Sequence, residues 1–192
     1  MQPLALTDVR PPAAYEPVRA EARRQVIELK RHRRVQLGAL VSLVFENRET
    51  VRAVVEELLR AERIEDPARI AEELEVFNQL IPEERELSAT MFLEITDPAE
   101  LAQRLDELRG IEEAIHLEVD GERVGRFHEP GRSREDRTSS VHYLRFHLSD
   151  AQRAAFLQGA PVAVVADHAN LRARAELSEP QRLALSADLL GR

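Results

Sequence analysis

The sequence predicts an α+β fold, with a mostly antiparallel sheet of about six or seven strands and about six helices. Three observations carry this. Alternating apolar runs recur through the second half, as in Leu87-Ser88-Ala89-Thr90-Met91. Helix-start signals separate such runs, at Asp66-Pro67, Ser149-x-x-Gln152 and Ser178-x-x-Gln181. Asp120-Gly121 sits between Ile115-x-Leu117-x-Val119 and a second short run, which is a strong hairpin signal. Hydrophobic residues make up 43%, enough for a packed core.

The elements follow in chain order. Pro17 suits a first helical position, and Val18, Ala22, Val26 and Leu29 recur at helical spacing, so a helix is expected over 16–32. Val35 to Phe45 reads as one strand kinked at Gly38. Val51, Val54, Val55, Leu58 and Leu59 form one face of a helix over 49–63. Asp66 caps and Pro67 opens the next, so the two make a helical hairpin. A strand spans 87–95, and a helix opening at Asp97-Pro98 stops at Gly110. In the hairpin that follows, Val119 faces Glu122, Glu118 faces Arg123, Leu117 faces Val124 and His116 faces Gly125. Glu118 then has Arg123 opposite it on an exposed polar face with His116. Residues 129–138 read as a mobile charged loop. Strands are expected at 139–148, 161–167 and 171–177, with a helix after each capping box. The whole is one α+β domain over 1–192, helix-rich with one strand over 1–80 and strand-rich over 85–192.

Composition removes many chemistries. With no cysteine there is no disulfide, thiolate zinc site, cysteine-held cluster or cysteine nucleophile. Lys30 is the only lysine, and no phosphate-binding glycine loop or Gly-x-Ser-x-Gly elbow is present. The longest apolar stretch is about half a membrane span, and the first residues lack a secretion signal, so a cytoplasmic protein is expected. The net charge of −8 is uneven: residues 1–34 carry +4 and residues 46–119 carry −13. The cluster Lys30-Arg31-His32-Arg33-Arg34 lacks interleaved aromatics, and the acidic body repels a polyanion, so nucleic acid is not the expected partner. Arg31, Arg33 and Arg34 are instead candidate contacts for an acidic partner, or for the acidic body itself.

Histidines are the natural places for acid–base or metal chemistry. His142 and His147 lie on opposite faces of one strand, and His142 lines up with Leu144, Phe146 and Leu148. Asp167-His168 ends a buried strand at a loop, where a carboxylate could orient an imidazole. A candidate pocket is therefore His142, Arg145, Asp167, His168 and Glu46, with His142, His168 and Asp167 as the candidate metal ligands. Glu113-x-x-His116 has the spacing of a di-iron motif but straddles a strand start, so it is rejected.

Several stretches together resemble a known family. They are Lys30-Arg31-His32-Arg33-Arg34-Val35-x-Leu37-Gly38, Phe45-Glu46-Asn47-Arg48-x-Thr50, Glu57-Leu58-Leu59-Arg60-x-Glu62-Arg63-Ile64, Leu80-Ile81-Pro82, Thr138-Ser139-Ser140-Val141-His142-Tyr143-Leu144-Arg145-Phe146 and Asp167-His168. The pattern resembles a bacterial family catalogued as domain of unknown function 3501, over about residues 7–189. The family has no established activity, so the resemblance carries no catalytic role. It implies genes encoded beside rubrerythrin-like and iron–sulfur, heterodisulfide-reductase-like proteins, and it singles out His142 and Arg145.

The expected function is a cofactor-free accessory protein that binds a partner in such a redox system, with a homodimer as a further expectation. The alternative is a metal-dependent enzyme or metal sensor holding a single Fe, Mn or Zn ion through His, Asp and Glu. Small-molecule binding in a crevice between sheet and helix is a third class.

Overall fold

The computed structural model describes residues 1–127 and 139–191; the loop expected at 129–138 lies outside them. The fold is α+β. Instead of one sheet there are two antiparallel sheets, A and B, whose inner faces share one apolar core.

The chain enters through two 3-10 turns, Leu6–Asp8 and Glu16–Val18, around the short helix α1 (Pro12–Tyr15). Helix α2 (Arg19–Arg31) follows, then β1 (Arg34–Leu37) and β2 (Val41–Glu46). β1 and β2 form a hairpin with Leu37 opposite Val41, so the expected single kinked strand is corrected. Gly38 has φ +66°, a left-handed conformation that reverses the chain where a kink would only bend it.

Helix α3 (Arg48–Glu62) is capped reciprocally: the Thr50 amide donates to Asn47 Oδ1 at 3.0 Å, and the Asn47 amide to Thr50 Oγ1 at 2.9 Å. Helix α4 (Pro67–Asn78) packs back on it, as expected for a helical hairpin. Val51, Val55, Leu59, Ile70 and Leu74 join Leu4, Val9 and Ile81 in a second apolar cluster. The Leu4 backbone is held in both directions by the Asn78 amide, at 2.7 and 3.0 Å.

Strand β3 (Glu86–Leu93) is central in sheet A. The helix expected from Asp97-Pro98 starts later, as α5 (Leu101–Glu107), because Asp97 caps the Ala99 amide within a turn instead. A short helix α6 (Ile111–Ala114) leads into β4 (Ile115–Val119), β5 (Glu122–Arg123) and β6 (Gly125–Phe127). Asp120 and Gly121 both have positive φ, and Val119↔Glu122 and Glu118↔Arg123 pair as expected. Val124 still donates to Leu117 at 2.8 Å, but Gly125 pairs with His147 and not with His116. The strand thus leaves sheet B and joins sheet A, a corner that a hairpin count from the turn alone does not contain.

The chain closes with β7 (Val141–His147), α7 (Asp150–Leu157), β8 (Val162–His168), β9 (Leu171–Glu176) and α8 (Glu179–Leu189). The Ser149-x-x-Gln152 capping box forms in both directions, whereas at Ser178 only the Gln181 half does, its Oε1 accepting the Ser178 amide at 2.7 Å. Sheet A runs β1-β2-β3-β7-β6 and sheet B runs β5-β4-β8-β9. β6 and β5 join the sheets on one side. On the other, β1 lies against β9, with the Ala173 Cβ 3.7 Å from where a Cβ on Gly38 would stand. Leu108 and Ile111 cover one end of the core, where β7 begins and β8 ends; α7 and α8 leave the opposite strand ends and supply Phe156, Leu185 and Leu189.

Candidate functional site

The five residues of the expected pocket fall on different faces. Glu46 and Arg145 share a row on the outer face of sheet A, with Ser88 between them as the cross-strand partner of both. Glu46 is 5% exposed. Its two oxygens accept the Thr90 hydroxyl at 2.6 Å and the Thr50 hydroxyl. Arg145 donates to the Ile81 carbonyl at 3.1 Å and lies 3.4 Å from Glu86. Both side chains therefore fasten the helical part to the sheet.

His142 and His168 face the other way, toward the core side of their strands. His142 sits on the inner face of β7, buried, and donates from Nε2 to the Ser139 carbonyl at 2.6 Å. Its Nδ1 is 3.8 Å from Glu112 Oε2 on α6. His168 Nδ1 accepts the Asn170 amide at 3.2 Å. The proton is then on Nε2, which donates to the Arg109 carbonyl at 3.0 Å. Asn170 adds a bond to the Glu107 carbonyl at 2.6 Å. His168 and Asn170 thus hold the α5–α6 segment from sheet B, while the hydrogen bond of His142 stays at the start of its own strand. Asp167 points away from His168, as neighbours on a strand must, and pairs on the surface with Arg172 at 3.5 Å.

Of the three basic candidates, Arg33 is corrected. Arg33, Val35 and Leu37 alternate onto the inner face, so Arg33 is buried against Asp188 of α8 and cannot meet a partner. Burial pushes the Asp188 carboxyl upward, and Arg33 opposes that shift. Arg34 stays on the outer face of β1 with Glu94 and Ser42. Arg31 is exposed at the end of α2, 3.1 Å from Glu28. Much of the basic entry segment does pack on the acidic body: Arg10 grips Glu56 at 2.7 and 2.8 Å, and Arg19 grips Glu57 at 3.0 Å.

His116 is also corrected. It was expected on an exposed face, yet only 7% of it is exposed. Its Nε2 lies 3.3 Å from Glu118 Oε1. The other Glu118 oxygen is held by Arg174 of β9, not by Arg123. The Arg174 guanidinium keeps the Glu118 carboxyl below the usual range, with His116 contributing less. These side chains, with Asp167, Arg172 and Val165, line an open groove of about 470 Å³ on the outer face of sheet B. Sequence reasoning passed over Arg172 and Arg174. Their signal is the strict alternation Arg172-Ala173-Arg174-Ala175, which puts both guanidinium groups on one face. Among the described residues no group of three or more His, Asp or Glu side chains stands close enough to hold a metal ion. No described helix is long and apolar enough to cross a membrane.

A family model described as "Protein of unknown function (DUF3501)" matches residues 3–189. The chain belongs to the DUF3501 family. A crystal structure described as a novel protein of unknown function from Burkholderia pseudomallei K96243 superposes with a TM-score of 0.92 at 32% identity, covering 98% of this chain and 100% of that one. No match is found among curated proteins. The DUF3501 fold is therefore shared at full length between this chain and that structure.

Proposed function

We propose that this DUF3501 protein is a cofactor-free accessory protein that docks on an acidic partner of a redox system, of the iron–sulfur oxidoreductase or rubrerythrin-like kind. The observation that carries the reading is helix α2, which has no fully buried residue. Its half-buried Ala22, Val26 and Leu29 lie against α3, while Arg23, Arg24, Ile27 and Arg31 share the outward face. Ile27 is 63% exposed. An apolar anchor ringed by arginine is the form that binding hot spots take. The ion pairs Arg24–Glu21 and Arg31–Glu28 are exposed i,i+3 pairs screened by solvent, so a partner carboxylate can displace them. On a molecule of net charge −8, a basic face also orients the approach of an acidic surface. The side chains best suited to chemistry support the same reading, because His142, His168, Arg145 and Glu46 each make a structural bond.

The test is capture of a purified iron–sulfur oxidoreductase of the implied kind, at low and moderate salt, with metal analysis of the untagged protein alongside. Retention that weakens with salt supports docking. No retention at either salt overturns it. Stoichiometric metal lost in His142→Ala or His168→Ala replaces it with the metal-dependent alternative. Light scattering on the same sample reads the expected homodimer.

A further inference from the structure

The groove on the outer face of sheet B lies on β4, β8 and β9, away from α2, and its chemistry is of another kind. β4 supplies His116 and Glu118, β8 supplies Val165 and Asp167, and β9 supplies Arg172 and Arg174. Strand register sets them in order: His116, Val165 and Arg174 form one row, and Asp167 and Arg172 the next. The carboxylates stand on β4 and β8 and the guanidinium groups on β9, so the groove is dipolar across the strands.

We propose that this groove binds a small organic acid that carries a hydrogen-bond donor beside its carboxylate, of the amino-acid or hydroxy-acid kind. Four features lead there. First, Arg174 is already committed to Glu118, whereas Arg172 and Asp167 are 3.5 Å apart with side chains 81% and 70% exposed. Such a loose pair holds little energy, and a ligand that offers a carboxylate to Arg172 and a donor to Asp167 replaces both halves of it. Second, Glu118 and Asp167 within the lining repel a polyanion, which disfavours phosphate esters and selects a single negative charge. Third, the half-buried Val165 gives the floor an apolar surface for the ligand's body. Fourth, His116 is nine-tenths buried and its Nδ1 has no partner among the described residues, which makes it unlike a solvated surface ladder. A buried polar atom left unpaired is costly, so His116 calls for an explanation that a solvated ladder does not need.

The test uses the full-length protein and NMR of the Val165 methyl groups and the His116 ring. The probes are L-leucine, 2-hydroxy-4-methylpentanoate, 4-methylpentanoate (no donor), isopentylamine (no carboxylate) and inorganic phosphate. Saturable shifts are expected for leucine or the hydroxy acid in the millimolar range, with the two truncated probes and phosphate at least about tenfold weaker. Arg172→Ala and Asp167→Ala, both at exposed positions, should each weaken binding about tenfold with the remaining spectrum unchanged. Binding of leucine alone assigns an amino acid, and binding of the hydroxy acid alone assigns a hydroxy acid. The inference is overturned by three results: no shift at Val165 or His116 with either probe, equal shifts with the truncated probes, or binding indifferent to Arg172→Ala. Because α2 takes no part, these outcomes are independent of the docking test.

Discussion

Arg33 and Asp188, 155 residues apart in sequence, meet as a buried bidentate pair with N···O distances of 2.6 and 2.8 Å. Their side chains are 3% and 0% exposed. The pair ties the entry to β1 onto the C-terminal helix α8.

Breaking that pair on one side leaves a buried charge alone. Asp188→Ala or Arg33→Ala should each cost about 3–5 kcal/mol in urea unfolding. The double variant Arg33→Met, Asp188→Leu should recover most of the loss, because neither charge then remains to be desolvated. The wild type should unfold in one transition by fluorescence and by circular dichroism alike, since β2, in the first apolar cluster, runs directly into α3 of the second.

Stability should fall on the acid side. The Asp8 carboxyl is held below its ordinary value by the Ala5 amide and by Arg48, and that of Glu118 by Arg174. For Glu57 burial pushes upward, but hydrogen bonds from Arg19 and Tyr15 outweigh it. A depressed folded-state value means stability that is present above the unfolded value, about 4, and lost as pH falls through the folded value. The Tm should be level between about pH 6 and 5 and drop below about 4, with a smaller drop in Arg174→Ala.

The alkaline side has a different marker. Tyr15 is buried and donates its hydroxyl to Glu57 at 3.0 Å. Burial, followed by the Glu57 carboxylate, pushes its phenol up to about 12. A raised value means that stability is full below the unfolded value, about 10, and is lost as pH rises toward 12. An ultraviolet titration should show one of the two tyrosines ionising near 12, and Tyr15→Phe should remove that step.

His168 and Asn170 fasten the α5–α6 segment through backbone carbonyls. Removing either side chain should raise hydrogen exchange over residues 101–112 by about tenfold and leave sheet A protected. Equal exchange in wild type and His168→Ala would show that the bond does not hold the segment.

Much of the fold was legible in the sequence because it rests on local rules. Ser149 caps as its spacing requires, Ser178 starts α8 where its spacing puts it, Asp120-Gly121 turns as its dihedrals allow, and Pro67 opens α4. What was not legible depends on distant partners. Arg33 was read with Arg31 and Arg34 as a partner contact; its buried place depends on Asp188, which lies at the far end of the chain. His116 was placed on a solvated face because Arg123 stood opposite Glu118; the true partner, Arg174, comes from a strand whose neighbour in the sheet no short motif specifies. The sheet change at Val124–Gly125 is likewise set by β7, not by the turn. His142 and His168, read as candidate chemistry, each bond a backbone carbonyl, that of Ser139 and that of Arg109, partners that no spacing in the sequence names.

The most direct test of the docking account is charge reversal on α2. Arg24→Glu with Arg31→Glu leaves the core untouched, because both side chains are exposed. Affinity for the purified iron–sulfur partner should fall at least about tenfold at low salt, and the salt dependence of the wild type should flatten. Unchanged affinity and an unchanged salt slope in the double variant would contradict docking through this helix.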